Sequence, residues 1–168
     1  MLSHPLQLEK MILKAITFGI SISFISWVVG MVLNGMLVKT EYYKKLSNLN
    51  FIPGKTLNKR IGIEYVKWIV KNTFFRFFNQ QIKVQNKNTD LVEIRREMTL
   101  AEVSHLIGFV FVAVVALYKS VSQGPLFGLL IMVVNVFMNL YPSLLQQENK
   151  RRIDRLLKRQ MKTVDNNV

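Results

Sequence analysis

The chain has 168 residues, of which 50% are hydrophobic, and its 23 Lys and Arg residues outnumber 10 Asp and Glu residues for a net charge of +13. A disordered basic tail would be poor in large apolar residues, and a mean hydropathy of +0.22 is unusual for a soluble nucleic-acid-binding domain. The absence of Cys excludes disulfides, thiolate metal sites and Cys nucleophiles, and two histidines are too few for a zinc site built mainly on imidazole. We predict no metal site and no cofactor.

Three stretches of the chain carry almost no charge: residues 12–38, 106–118 and 125–145. A membrane-spanning helix needs about 20 apolar residues, so the second stretch spans a bilayer only if Leu100–Ser104 join it. Core helices of a soluble bundle normally keep a polar face, and these stretches have none. The sequence predicts an all-α polytopic membrane protein with three transmembrane helices, the second at 100–118.

The first apolar stretch follows Lys10 and Lys14, as the core of a signal peptide would. Its apolar part exceeds the roughly 7 to 15 residues of a signal-peptide core, and no small-residue cleavage site follows it. We expect residues 12–38 to remain as a permanent helix.

Residues 39–99 form a basic region between the first two predicted spans, which we expect to be cytoplasmic and interfacial. Near residues 61–78, apolar and charged residues alternate in the manner of a basic amphipathic helix that lies in the headgroup plane. A helix that packs on the other helices is the alternative, and the two are compatible. A tethered basic segment has an anionic lipid surface as its nearer partner, so we predict no nucleic acid ligand. The apolar residues of this segment are Tyr65, Trp68, Ile69, Phe74, Phe75, Phe77 and Phe78.

The distribution of basic residues predicts the orientation in the membrane. Lys39–Val103 contains 13 Lys and Arg residues and the tail, residues 146–168, contains seven, whereas the link between the last two helices contains only Lys119. Because basic flanks stay on the cytoplasmic side, we predict a multi-pass protein of the bacterial cell membrane, with its N-terminus outside and its C-terminus in the cytoplasm.

Glu102 and His105 are the first polar pair of interest, because polar groups at the mouth of a membrane helix are costly unless they have partners or a function. They are three residues apart and share a helix face. A carboxylate beside an imidazole can fix its tautomer and raise its basicity, as a general base requires. The alternative is a capping box, since Thr99 precedes Glu102 by three residues.

The third predicted helix carries a stripe of polar residues that faces this pair. Its members are Asn135, Asn139, Gln146 and Asn149, with Pro142 among them and Arg151 and Arg152 behind. If the second and third helices form a hairpin centred near Ser122, His105 and Asn139 are both 17 residues from the turn and lie at equal depth. Glu102 is level with Tyr141 and Pro142 by the same count. The alternative is that the asparagines only join the helices by hydrogen bonds.

The segment 97–155 resembles the C-terminal half of the glycosyl-4,4′-diaponeurosporenoate acyltransferases of staphyloxanthin-type carotenoid synthesis. The resemblance rests on A-E-V-S-H, the Q-G-P turn, N-L-Y-P, Q-Q-E-N and a basic end. It implies a small membrane enzyme that esterifies a sugar hydroxyl of a glycosylated terpenoid or other glycolipid with a fatty acyl group. It implies Glu102 and His105 as the catalytic pair. The substrate-binding residues that we predict are Asn135, Asn139, Tyr141, Gln146, Asn149, Arg151 and Arg152.

The mechanism that we predict is general-base acyl transfer. His105, oriented by Glu102, takes the proton of the acceptor hydroxyl, Asn139 or Asn149 stabilises the oxyanion, and Arg151 or Arg152 holds an anionic acyl carrier, either acyl-CoA or acyl-carrier protein. The alternative function is a non-catalytic membrane protein that binds lipid or stabilises a partner complex. Its motivation is size, since three helices leave little room to enclose two substrates unless the protein forms a homo-oligomer.

Overall fold

The computed structural model describes residues 4–49 and 90–165 and the isolated positions 51, 62, 65, 68 and 72. All of its regular elements within these residues are helical, which confirms the predicted all-α class. The helices are α1 (His4–Leu37), α2 (Tyr42–Leu46), α3 (Leu91–Gln123), α4 (Pro125–Asn135) and α5 (Tyr141–Asp165), and a π-helical turn, Val136–Leu140, joins α4 to α5.

Among the described residues, three helical segments are long and apolar enough to cross a membrane: Pro5–Leu37, Leu91–Gln123 and Pro125–Lys162. This confirms the three predicted transmembrane helices. Each helix extends beyond its apolar stretch, because Glu, Gln, Lys and Arg are themselves good helix formers. The predicted amphipathic helix near 61–78 lies outside the described residues, apart from four isolated positions, and stays a prediction.

The chain divides into two compact units. The first unit contains Met1–Leu46 and Val103–Ser143, and the second contains Ser47–Glu102 and Leu144–Val168. The core of the first unit is a cluster of small and branched side chains that allows α1, α3 and α4 to pack closely. Its buried members are Ala15, Val112, Ala116, Phe127 and Ile131.

Two glycines make the α3–α4 hairpin of the first unit possible. Gly124, between the helices, has a φ of 103°, a value that residues with a side chain rarely adopt. A β-carbon on Gly128 would lie 2.6 Å from the carbonyl oxygen of Ala116, so only glycine permits this approach of the two helices. Pro125 follows the turn at the first helical position, where its missing N–H is not needed.

In the second unit, Asp90 begins α3 as its N-cap. Its Oδ1 accepts hydrogen bonds from the backbone N–H groups of Val92 (2.8 Å) and Glu93 (3.3 Å). Thr99 therefore lies inside the helix, and its hydroxyl donates to the carbonyl oxygen of Arg95 (3.0 Å). The alternative in which Thr99 and Glu102 form a capping box is wrong, because the helix begins about two turns earlier.

Candidate active site

The π turn of the first unit forms at the residues that precede Pro142. The backbone N–H of Tyr141 donates to the carbonyl oxygen of Val136, five residues back. Pro142 has no N–H with which to bond the carbonyl of Met138, four residues back, and its ring would clash there in a regular α-helix. The indole Nε1–H of Trp27 donates to this released oxygen at 3.4 Å. Single π turns of this kind are frequent at functional sites.

Asn135 and Asn139 form a directed chain of hydrogen bonds at this turn, and both side chains are fully buried. Asn135 Nδ2 donates to the carbonyl oxygen of Phe109 (2.9 Å), and Asn139 Nδ2 donates to Asn135 Oδ1 (2.9 Å) and to Ser26 Oγ (3.2 Å). Both N–H groups of Asn139 are thus engaged, and its Oδ1 is left to accept.

His105 completes this chain. Its half-buried imidazole hydrogen-bonds the Asn139 side chain, and its ring meets the ring of Trp27 edge-on, with centroids 6.0 Å apart and an interplanar angle of 86°. Its Nδ1 is a buried atom with no hydrogen-bond partner within the described residues. The equal depth of His105 and Asn139 that the hairpin register predicts is therefore realised as a contact.

Close approach of the helices keeps this network compact. A β-carbon on Gly108 would lie 3.0 Å from Asn139 Oδ1 and 3.1 Å from Ser26 Oγ. Nearby on α1, Asn34 Nδ2 donates to Ser104 Oγ at 2.9 Å. Sequence analysis missed Ser26, Trp27 and Asn34, although three polar or amphipathic residues at spacings of one and seven in an apolar helix are a usable signal.

Glu102, the other predicted catalytic residue, lies in a separate polar cluster inside the second unit. Its side chain is fully buried, and its Oε1 accepts a hydrogen bond from Gln147 Nε2 (2.9 Å). Its Oε2 forms an ion pair with Lys150 Nζ, whose side chain is 4% exposed. Buried charges require such pairing, because an isolated ion in a water-excluded interior is very costly.

The same cluster holds the chain that follows α2. Lys150 Nζ also donates to the carbonyl oxygen of Ser47 (2.9 Å), and Gln147 Oε1 accepts from the backbone N–H of Phe51 (3.0 Å). We call Glu102, Gln147 and Lys150 the carboxylate hub. Each of its members is nearly or fully buried and contacts another member.

The buried polar residues of α5 are shifted by one position from those predicted. Gln147 and Lys150 are buried, whereas the predicted Gln146 and Asn149 are only half-buried. A π turn closes its hydrogen bonds over five residues rather than four, so it inserts about one extra residue into the helix before these positions. The phase of a regular α-helix, on which the prediction depended, does not apply beyond such a turn.

The remaining predicted substrate-binding residues are Tyr141, Arg151 and Arg152. Tyr141 stacks on Phe137, with ring centroids 5.5 Å apart and an interplanar angle of 15°. Arg151 is half-buried and Arg152 is exposed. A third arginine, Arg95, forms an ion pair with Asp154 and donates to Asn48 Oδ1 (3.2 Å) within the second unit.

The family model of the glycosyl-4,4′-diaponeurosporenoate acyltransferases matches residues 39–159, which is most of the chain. The chain belongs to this family. No curated protein and no solved structure matches it. The resemblance on which the predicted function rests is thereby confirmed.

Membership in the glycosyl-4,4′-diaponeurosporenoate acyltransferase family assigns the protein an acyltransferase activity in carotenoid biosynthesis. The three apolar helices fit a membrane enzyme that acts on lipid substrates. The matched range contains His105, Asn135, Asn139 and the carboxylate hub. It does not contain α1, so Ser26 and Trp27 are features that only the structure reveals.

Proposed function

We propose that this family member transfers a fatty acyl group to a hydroxyl of a glycosylated terpenoid or other glycolipid, with His105 as the general base. The observation that carries the proposal is the free Nδ1 of His105, a buried nitrogen without a partner in the described part of the chain. Buried polar atoms are normally hydrogen-bonded, and a catalytic role is one explanation for an atom that is not.

The asparagine chain supports this role because it favours one tautomer. We propose that Nε2 is the nitrogen that bonds Asn139, because Nδ1 has no partner within the described residues. Both N–H groups of Asn139 are engaged by Asn135 and Ser26, so its Oδ1 accepts and the imidazole donates. A proton on Nε2 leaves the lone pair of Nδ1 available as a base. In this proposal Asn139 orients His105 and does not act as an oxyanion donor.

The chemical step follows from that tautomer. Nδ1 takes the proton of the acceptor hydroxyl as the oxygen attacks the acyl carbonyl of a thioester, and the imidazolium returns the proton to the leaving thiolate. The acyl carrier is acyl-CoA or acyl-carrier protein. Arg151 and Arg152 are proposed to hold its anionic groups, with Tyr141, Gln146 and Asn149 contributing to substrate binding.

Glu102 has two proposed tasks. The predicted role in orienting His105 rests only on the position of Glu102 three residues earlier on the same helix. Its carboxylate contacts Gln147 and Lys150, so we also assign it to holding the Ser47–Phe51 segment. A double substitution separates the two tasks.

The proposed setting is the bacterial cell membrane, with the N-terminus outside and the C-terminus in the cytoplasm. The excess of Lys and Arg in residues 39–103 and in the tail supports this orientation. A site in the cytoplasmic leaflet would allow lipid substrates to diffuse laterally to it, while a soluble carrier docks on the basic regions.

The test is acyl transfer by His105→Ala, measured as the acylated product in lipid extracts and with purified protein. A general base contributes about 10² to 10⁴ in rate, so we expect a loss of that size in a protein that still folds. The control is His4→Ala, which changes the other histidine of the chain. Wild-type acyl transfer by His105→Ala would refute the proposal.

A further inference from the structure

Three rings in the first unit form a row that leads from the exposed surface of α1 to His105. Phe24, whose side chain is 47% exposed, meets Trp27 edge-on, with ring centroids 4.8 Å apart and an interplanar angle of 69°. Trp27 in turn meets His105 edge-on, with their ring centroids 6.0 Å apart. We call Phe24 and Trp27 the aromatic entrance.

The position of Trp27 in this row is fixed. Its indole N–H donates to the carbonyl oxygen of Met138, which Pro142 leaves without its usual helical donor. The ring is also confined between Phe24 and His105. A preorganised aromatic surface of this kind loses little side-chain freedom when a ligand binds to it.

We propose that the aromatic entrance binds the rigid terpenoid chain of the acceptor and delivers its sugar to His105. The inference rests on the proposed function, because His105 is the group that the sugar hydroxyl must reach. Aliphatic side chains are sufficient for contact with lipid, so partition into a bilayer does not account for an ordered row of rings that ends at an imidazole.

The rings of the aromatic entrance favour one class of apolar ligand over others. A conjugated chain is flat and rigid, presents π faces to ring edges, and loses few rotamers on binding. A saturated acyl chain would lose rotational freedom along its length for the same contacts. A helix from a second copy of the chain would cover Phe24 but would not carry a hydroxyl to His105.

The experiment measures ligand binding through Trp27, independently of catalysis. Trp68→Phe leaves Trp27 as the single tryptophan, since the chain has two. The protein in nanodiscs is titrated with glycosyl-4,4′-diaponeurosporenoate, whose polyene quenches tryptophan fluorescence, and an alkyl glucoside serves as a saturated competitor. The variants are Phe24→Ala and, as a control of similar exposure in the second unit, Phe51→Ala, whose native side chain is 55% exposed.

We expect saturable quenching, a Kd raised about tenfold by Phe24→Ala and unchanged by Phe51→Ala, and poor displacement by the alkyl glucoside. Because Phe24 is exposed, its truncation should leave folding intact. An unchanged Kd in Phe24→Ala would overturn the inference, and so would equal displacement by the saturated competitor or a change of oligomeric state without a change in Kd.

The two proposals fail separately in this design. His105→Ala should still bind the polyene saturably while losing acyl transfer. If His105→Ala keeps acyl transfer, the proposed base is wrong and the binding result is unaffected. If acyl transfer requires His105 but binding does not require Phe24, only the aromatic entrance is wrong.

Discussion

Lys150 and Glu102 form an ion pair in which the side chains are 4% and 0% exposed. Their charges are of a kind that is almost never fully buried without a partner. The same ammonium group donates to Ser47, so the pair joins α3, α5 and the segment after α2 within the second unit. Substitutions can separate the contribution of this ion pair to stability from its contribution to function.

Glu102→Gln should destabilise the protein, because it leaves Lys150 buried without its counter-charge. Breaking one side of a buried pair costs about 3 to 5 kcal/mol, whereas replacing both partners by neutral groups is often tolerated. We therefore expect the double variant Glu102→Gln/Lys150→Met to regain much of the thermal stability lost in Glu102→Gln. The measurement is the Tm of the purified protein.

Acyl transfer by the same double variant tests the proposed role of Glu102 in orienting His105. If the carboxylate orients His105, activity stays low although stability returns. Recovery of both properties would show that Glu102 is structural only.

Asn139→Leu should lower kcat with little change in KM, because the imidazole loses the acceptor that favours the proton on Nε2. The matched control is Asn34→Leu, which removes an equally buried asparagine whose Nδ2 bonds Ser104. Steady-state kinetics of both variants provide the measurement. Equal effects on kcat would indicate a general packing role for buried asparagines.

Pro142→Ala should raise thermal stability and lower acyl transfer. Alanine restores a backbone N–H that can bond the carbonyl of Met138, and proline inside a helix costs about 3 kcal/mol. The restored N–H would then compete with the indole of Trp27 for this oxygen. Tm, activity and tryptophan emission are measured beside Pro125→Ala, where proline lies at a tolerated first helical position. A variant as active as wild type would show that the π turn is dispensable.

Asp90→Ala should weaken the first turn of α3 by about 1 kcal/mol, because two backbone N–H groups lose their acceptor. Hydrogen exchange at Val92 and Glu93 should become faster, with acyl transfer unchanged. Slow exchange in the variant would contradict the N-cap assignment.

The amino-acid sequence determined the properties that depend on local pattern. Apolar stretches of sufficient length predict the three long helices, and a tight turn between the last two predicts the register that brings His105 to Asn139. Both follow from the constant rise of a helix, which needs no knowledge of distant contacts.

Only the tertiary structure decided which polar groups meet. Trp27 and Ser26 contact residues 111 and 113 positions away, which no helical periodicity encodes. The π turn before Pro142 moves the buried stripe from Gln146 and Asn149 to Gln147 and Lys150, because one extra residue in a turn rotates all later side chains. Which residues a buried charge contacts depends on that rotation. These contacts are therefore decided only when the helices pack.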